Sequence, residues 1–263
     1  MTAHYAELLM YNAPARVRES SEAWLARILR LLGSERSGWH SEDLYGLWLQ
    51  PRLLLAQTCG YPLVSRLHGK VRLLGRPHYQ LADSQDGWHC SLLLVRRDDP
   101  RQTLDALYGS RGVVNGFDSN SGMNLLRHSL APLQRDGRFF AQLQVSGSHR
   151  ESLRRVAEGQ ADLAAVDSVT FAYLARFAPQ EVAGVHILAR SAPSPTLPYI
   201  GAASLDEGRA EAIRAAMNEA LAELPEVAAI LALTEVLPAK QEDYRVLLDY
   251  QNEARALGYP TLA

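Results

Sequence analysis

Apolar and polar positions along the chain switch repeatedly between a strand-like and a helix-like rhythm. Ala6-Glu7-Leu8-Leu9-Met10-Tyr11 is a short apolar run closed by Asn12-Ala13-Pro14, which predicts a strand and a turn. Trp24, Leu25, Ile28, Leu29 and Leu32 recur at helical spacing over 18–32, and Gly33 follows as a stop. Ser41 opens a second helical stretch that ends before Pro51. Leu53-Leu54-Leu55-Ala56 reads as a buried strand, Gln57-Thr58-Cys59-Gly60 as its turn, and Tyr61-Pro62 as a helix start. Strands are predicted at 71–74 and 91–95, the second closed by Arg96-Arg97-Asp98-Asp99-Pro100.

A fresh series follows. Helical patterns over 104–108, 122–130, 148–158 and 168–177 interleave with strand patterns over 112–115, 140–145, 162–166 and 185–188. The proline-dense stretch Ser191-Ala192-Pro193-Ser194-Pro195-Thr196-Leu197-Pro198 reads as a linker or crossover. From Ser204 the pattern is almost entirely helical. Ser204-Leu205-Asp206-Glu207 has the form of a capping box, and helices are predicted up to Pro225, over 226–236 and over 241–256.

Strands separated by helices imply an α/β class, with mainly parallel sheets flanked by helices. Two series joined near residue 91 and again near 191–198 predict two lobes. Residues 1–90 and 191–263 would form a discontinuous first lobe, residues 91–190 an inserted second lobe, with a ligand cleft between them.

Composition narrows the function classes. The chain has 263 residues, 27 basic and 29 acidic side chains and a formal charge of −2. That balance argues against a general nucleic-acid binder, whose affinity comes largely from phosphate neutralisation. No apolar run approaches the roughly 18 residues needed to span a bilayer, so no membrane insertion is expected. The opening Met1-Thr2-Ala3-His4-Tyr5-Ala6-Glu7 does not read as a secretory signal. The expected location is therefore cytoplasmic for this start, or periplasmic if a leader precedes it. Cys59 and Cys90 fit no metal-binding spacing, and the histidines form no HExxH or HxH, so no metal or other cofactor is expected. Residues 91–190 hold 12 basic and 10 acidic residues, a slight positive balance that suits an anion.

The chemistry gathers at strand-to-helix turns. Asp118-Ser119-Asn120-Ser121-Gly122-Met123-Asn124 lies between a predicted strand and a predicted helix. Such turns sit at the carboxyl edge of a parallel sheet, where open α/β folds bind ligands. The first N–H groups of the helix are unpaired there and carry partial positive charge. The Ser119 and Ser121 hydroxyls can donate to an oxyanion, and Gly122 lets a ligand approach the backbone. Ordinary capping by Ser or Asp explains the same residues without a ligand. Ser148 and Glu151 form an S-x-x-E capping box that puts His149 at a first helical position, where it either donates to an anion or faces solvent. Asp167 precedes a helix and either caps it or accepts from a ligand. Tyr11 and Tyr61 follow strands of the first lobe and are packing residues or ligand clamps. There is no P-loop, no G-x-G-x-x-G after the first strand and no G-x-S-x-G, so nucleophilic catalysis is not supported.

The order strand, Ser-x-Ser-Gly-Met-Asn, helix, strand, Ser-Gly-Ser-His, helix, Gly-x-Ala-Asp-Leu-Ala-Ala-Val-Asp resembles the phosphate/phosphite/phosphonate-type solute-binding proteins of ABC transporters. The similarity is clearest over about 50–200 and includes Gln57-Thr58-Cys59-Gly60-Tyr61-Pro62. The resemblance implies a type II periplasmic-binding fold whose two lobes close on a ligand. It implies that Ser119, Ser121 and the N–H groups of Gly122 and Met123, within the segment that includes Asn120, hold an oxyanion. His149 would donate to it, Tyr11 and Tyr61 would contribute from the first lobe, and Asp167 would face the ligand's substituent. Where the resemblance implies an aromatic residue before the crossing strand, this chain has His89-Cys90. The expected function is therefore binding of a small oxyanion, phosphonate- or phosphate-like, for an ABC-type uptake system with a permease partner and without catalysis. The alternative is a cytosolic enzyme, of the kind that reuses this fold in menaquinone or thiamine biosynthesis, or a sensor.

Overall fold

The computed structural model describes residues 3–263, and the chain divides into two compact units. The first runs to Trp88 and resumes over Pro195–Tyr244; the second comprises His89–Ser194 and Arg245–Ala263. The chain therefore passes between units three times rather than the expected two. The sequence reading gave all of 191–263 to the first lobe, but the stretch from Arg245 packs with the second unit. Its Leu247, Ala254, Tyr259 and Leu262 are buried. Asn124 Nδ2 donates to the Leu247 carbonyl at 3.0 Å, and Arg127 Nη1 to the Pro260 carbonyl at 2.9 Å. Helical periodicity shows that a face is buried, not which core buries it.

In the first unit six strands pair in the order Leu233–Leu237, Val71–Tyr79, Tyr199–Ala202, Leu53–Gln57, Ala3–Glu7, Glu35–Ser37. Ala3–Glu7 runs parallel to both of its neighbours, and the remaining pairings are antiparallel. The helices Ala15–Leu31 and Glu207–Glu223 pack together, with Trp24 Nε1 donating to the Met217 carbonyl at 3.0 Å. The strand Leu233–Leu237 lies where a helix was expected. Ala232, at φ 47°, takes the left-handed conformation that ends the helix Pro225–Leu231, and the chain leaves extended. The cap of Glu207–Glu223 also lies two residues past expectation. Asp206, not Ser204, accepts from the backbone, taking the Arg209 N–H at 2.7 Å.

The second unit holds five strands in the order Val185–Arg190, Ser91–Arg96, Leu163–Asp167, Arg111–Val114, Gln142–Val145. The last three are mutually parallel in sequence of pairing, whereas Ser91–Arg96 is antiparallel to both of its neighbours. Helices His149–Ala157 and Ser168–Phe177 flank the sheet, and Leu92, Leu94, Val113, Leu153, Val156, Val166 and Leu174 form its core. The parallel strands end at Val114, Val145 and Asp167, so the segments that follow share one edge. Because Ser91–Arg96 runs the other way, its first residue starts at that edge, with Ser91 paired to Asp167. Cys59 lies buried in the first unit and Cys90 half-buried in the second.

A buried polar site at one sheet edge

Three turns and one strand entry meet at this edge of the second unit. After Arg111–Val114 the chain forms a single wide helical turn at Asn120–Asn124 before the helix Leu125–Leu130. Ser119 caps it: its Oγ accepts from the Gly122 N–H at 3.0 Å. The capping and ligand readings of this segment are therefore compatible. A hydroxyl that accepts one N–H keeps its own hydrogen for a further acceptor. The Gly122 N–H, by contrast, is already committed to Ser119.

Gly122 has a steric role that the sequence did not show. A Cβ built there would lie 1.8 Å from Asn115 Oδ1 and 3.2 Å from His149 Cε1. The glycine makes room for Asn115, whose Oδ1 is buried without a hydrogen-bond partner. Met123 is buried in the same turn. Asn120 is buried too, donating to Ser194 Oγ at 3.2 Å and accepting from Asn124 Nδ2 at 3.2 Å. Arg127 Nη2 donates to Asn124 Oδ1 at 2.6 Å, so this wide turn is tied down on its inner side by a buried polar chain.

The turn after Gln142–Val145 brings in His149. Ser148 is the N-cap as expected, its Oγ accepting from the Glu151 N–H at 3.1 Å. The reciprocal half of the capping box is absent, because Glu151 pairs instead with Arg154 and Arg155. His149 thus stands at the first helical position, and its Nε2 lies 2.9 Å from Ser121 Oγ. Ser91 Oγ donates to the Ser121 carbonyl at 2.9 Å, which fixes the serine from the other side. Burial holds the His149 imidazole below the ordinary histidine range. The Asp167 charge opposes that shift and His89 adds to it.

Asp167 ends the central strand and caps Ser168–Phe177, its Oδ1 accepting from Val169 N–H at 2.9 Å and Thr170 N–H at 3.0 Å. Its Oδ2 lies 3.2 Å from His89 Nδ1, and both side chains are almost wholly buried, at 2 and 1% exposure. Burial pushes the Asp167 carboxyl up. The His89 charge and hydrogen bond outweigh it and hold the group below the usual carboxylate range. His89, noted in the sequence only as standing where the resemblance implies an aromatic residue, has a place in this site that was not expected. The available signal was its place two residues before a strand, but only the antiparallel direction of that strand brings it to this edge.

Seven of the nine expected residues, Ser119, Asn120, Ser121, Gly122, Met123, His149 and Asp167, fall at this edge of the second unit. Tyr11 and Tyr61 belong to the first unit. They follow its parallel strands Ala3–Glu7 and Leu53–Gln57. Tyr11 is buried edge-on against Tyr79, with ring centres 6.1 Å apart. Tyr61 lies half-buried in the first turn of Gly60–Ser65, its carbonyl accepting from Ser65 Oγ at 2.7 Å.

Residues 53–244 match the family described as the phosphonate periplasmic substrate-binding protein of ABC transporters. Among solved structures, the chain is similar to the binding-protein component of an ABC phosphonate transporter from Pseudomonas aeruginosa. The two share 16% identity and a TM-score of 0.78, over 97% of this chain and 87% of that one. PhnD1 from Prochlorococcus marinus, solved in complex with methylphosphonate, has 12% identity and a TM-score of 0.75, over 96 and 98% of the two chains. XAC2383 from Xanthomonas citri, solved bound to ATP, has 16% identity and a TM-score of 0.70 over 98% of each chain. These likenesses show the fold, that of type II periplasmic-binding proteins. No curated protein matches the sequence.

Proposed function

Because the chain belongs to the ABC-transporter family of phosphonate periplasmic substrate-binding proteins, we propose that the polar edge of its second unit is where a phosphonate-like oxyanion is held. The family is one of solute-binding proteins that serve an uptake system, not of enzymes. The observation that carries the site assignment is the Ser121–His149 pair, 2.9 Å apart, beside a helix start capped by Ser119. In this reading the Ser119 and Ser121 hydroxyls and the Met123 N–H donate to the oxyanion, and His149 Nε2 replaces Ser121 with a ligand oxygen as its partner. Donors of this kind bind an anion without any excess of basic side chains, which fits a chain of charge −2. Asp167 lies at the same edge, where it caps its helix and stands 3.2 Å from His89. The contributions of Tyr11 and Tyr61 rest on the resemblance alone, and phenylalanine substitutions test them.

The same membership leads us to place the working protein in the periplasm beside a permease, which cell fractionation checks. Among the described residues no helix is long and apolar enough to cross a membrane.

Calorimetric titration with methylphosphonate, phosphite and phosphate tests the site. Saturable binding of at least one is expected, weakened about tenfold or more in Ser121→Ala and in His149→Ala, the loss expected of one charge-assisted hydrogen bond. Folded wild type that binds none of the three at millimolar concentration would overturn the reading.

A further inference from the structure

A positively charged substituent on a buried ligand needs an ionised carboxylate opposite it, since an unpaired buried charge is strongly unfavourable. Among the described residues the buried carboxylates are Glu7, Asp99 and Asp167. Each already faces a base of its own unit. Glu7 pairs with Arg36, and Asp99 with Arg101 at 2.5 Å. Asp167 is the one at the oxyanion edge, and both of its oxygens are engaged: Oδ1 by two backbone N–H groups, Oδ2 by His89 at 3.2 Å.

Both ring nitrogens of His89 are buried, and Nδ1 lies 3.2 Å from Asp167 Oδ2. The imidazole thus occupies the place beside the carboxylate oxygen that an ammonium group would need.

We propose that His89 sets the substituent selectivity of this site, so that the protein prefers small phosphonate-type oxyanions without a cationic substituent over aminoalkyl phosphonates. The proposal rests on the assignment of the oxyanion site made above and adds the class of ligand that site accepts. His89 acts as a positioning residue: it withdraws Asp167 rather than reading the substituent itself.

Calorimetric titration of the purified chain with methylphosphonate and with 2-aminoethylphosphonate tests it. Wild type is expected to favour methylphosphonate by about tenfold or more, the scale of one charged contact. His89→Phe releases Asp167 Oδ2 and is expected to shrink or reverse that ratio, and His89→Phe/Asp167→Asn to lose the gain for the amino compound. A purely structural role for His89 would weaken both ligands alike and leave the ratio unchanged, which would overturn the proposal. Wild type that binds the amino compound as tightly as methylphosphonate overturns it without any variant, and leaves the oxyanion assignment standing. Folded wild type that binds neither overturns that assignment, and the selectivity proposal with it.

Discussion

His149 shows how a site of modest composition generates a strong donor. Its imidazole is held below the ordinary histidine range by burial, with Asp167 pulling upward and His89 downward, so it is largely neutral near pH 7 in the free protein. An oxyanion against Nε2 favours the charged form and raises the group again. Between the free and bound values the complex carries more protons than the free protein, so affinity rises as pH falls through that window. Titrations in two buffers of different ionisation enthalpy are expected to show proton uptake in wild type, beyond that in His149→Gln. Identical buffer dependence in the two proteins would refute this. At Gly122 the expectation is steric. A methyl group there meets Asn115 Oδ1 at 1.8 Å, so Gly122→Ala should lower the melting temperature and weaken ligand binding strongly. Asn115→Ala in the same chain removes the obstructing amide, and partial recovery of the melting temperature is the expected result.

At the scale of elements, what the sequence made legible followed from local chemistry. The helix Ser168–Phe177 has the predicted bounds, because Asp167 caps it and the apolar run before it can only be a buried strand. The Ser148 cap and the strands around Leu53 and Ser91 were equally readable. The misplaced elements depend on partners distant in sequence. Leu233–Leu237 has helical neighbours and looks helical alone, yet it is an edge strand on Val71–Tyr79. His89 could not be placed because periodicity does not give strand direction. The cap at Asp206 lies two residues past the Ser204 that the capping-box pattern pointed to, and the structure makes it testable. Asp206→Ala should cost about 1 kcal/mol in denaturant unfolding, the usual value of an N-cap, and Ser204→Ala almost nothing. Equal losses in the two variants would contradict the assignment.

For the whole molecule the decisive fact is the return of the chain to the second unit after Tyr244. The helix Val246–Ala256 buries Leu247 and Ala254 there, and the Phe139 N–H donates to the Ala263 carbonyl at 2.8 Å. A chain ending at Tyr244 would leave Arg127 and Asn124 buried without these partners. It is expected to lose the cooperative unfolding of the second unit and all ligand binding, while the first unit keeps its full set of strands. Circular dichroism melts and tryptophan fluorescence distinguish this from uniform destabilisation, since the four tryptophans, Trp24, Trp39, Trp48 and Trp88, all lie in the first unit. A truncated chain with wild-type affinity would show the return to be dispensable.

The threefold passage of the chain also sets an order of events in time. During synthesis the first unit waits for Leu233–Leu237 to supply its edge strand, although its earliest strand emerges almost at once. The second unit waits longer still, since its buried Leu262 comes after every residue of the first. Neither core is complete before those segments have emerged. Domains elsewhere fold one after another as they emerge; here both are completed within the last few dozen residues. Because both cores take elements from late in the sequence, neither unit gains its full set of buried contacts until those late segments have been made.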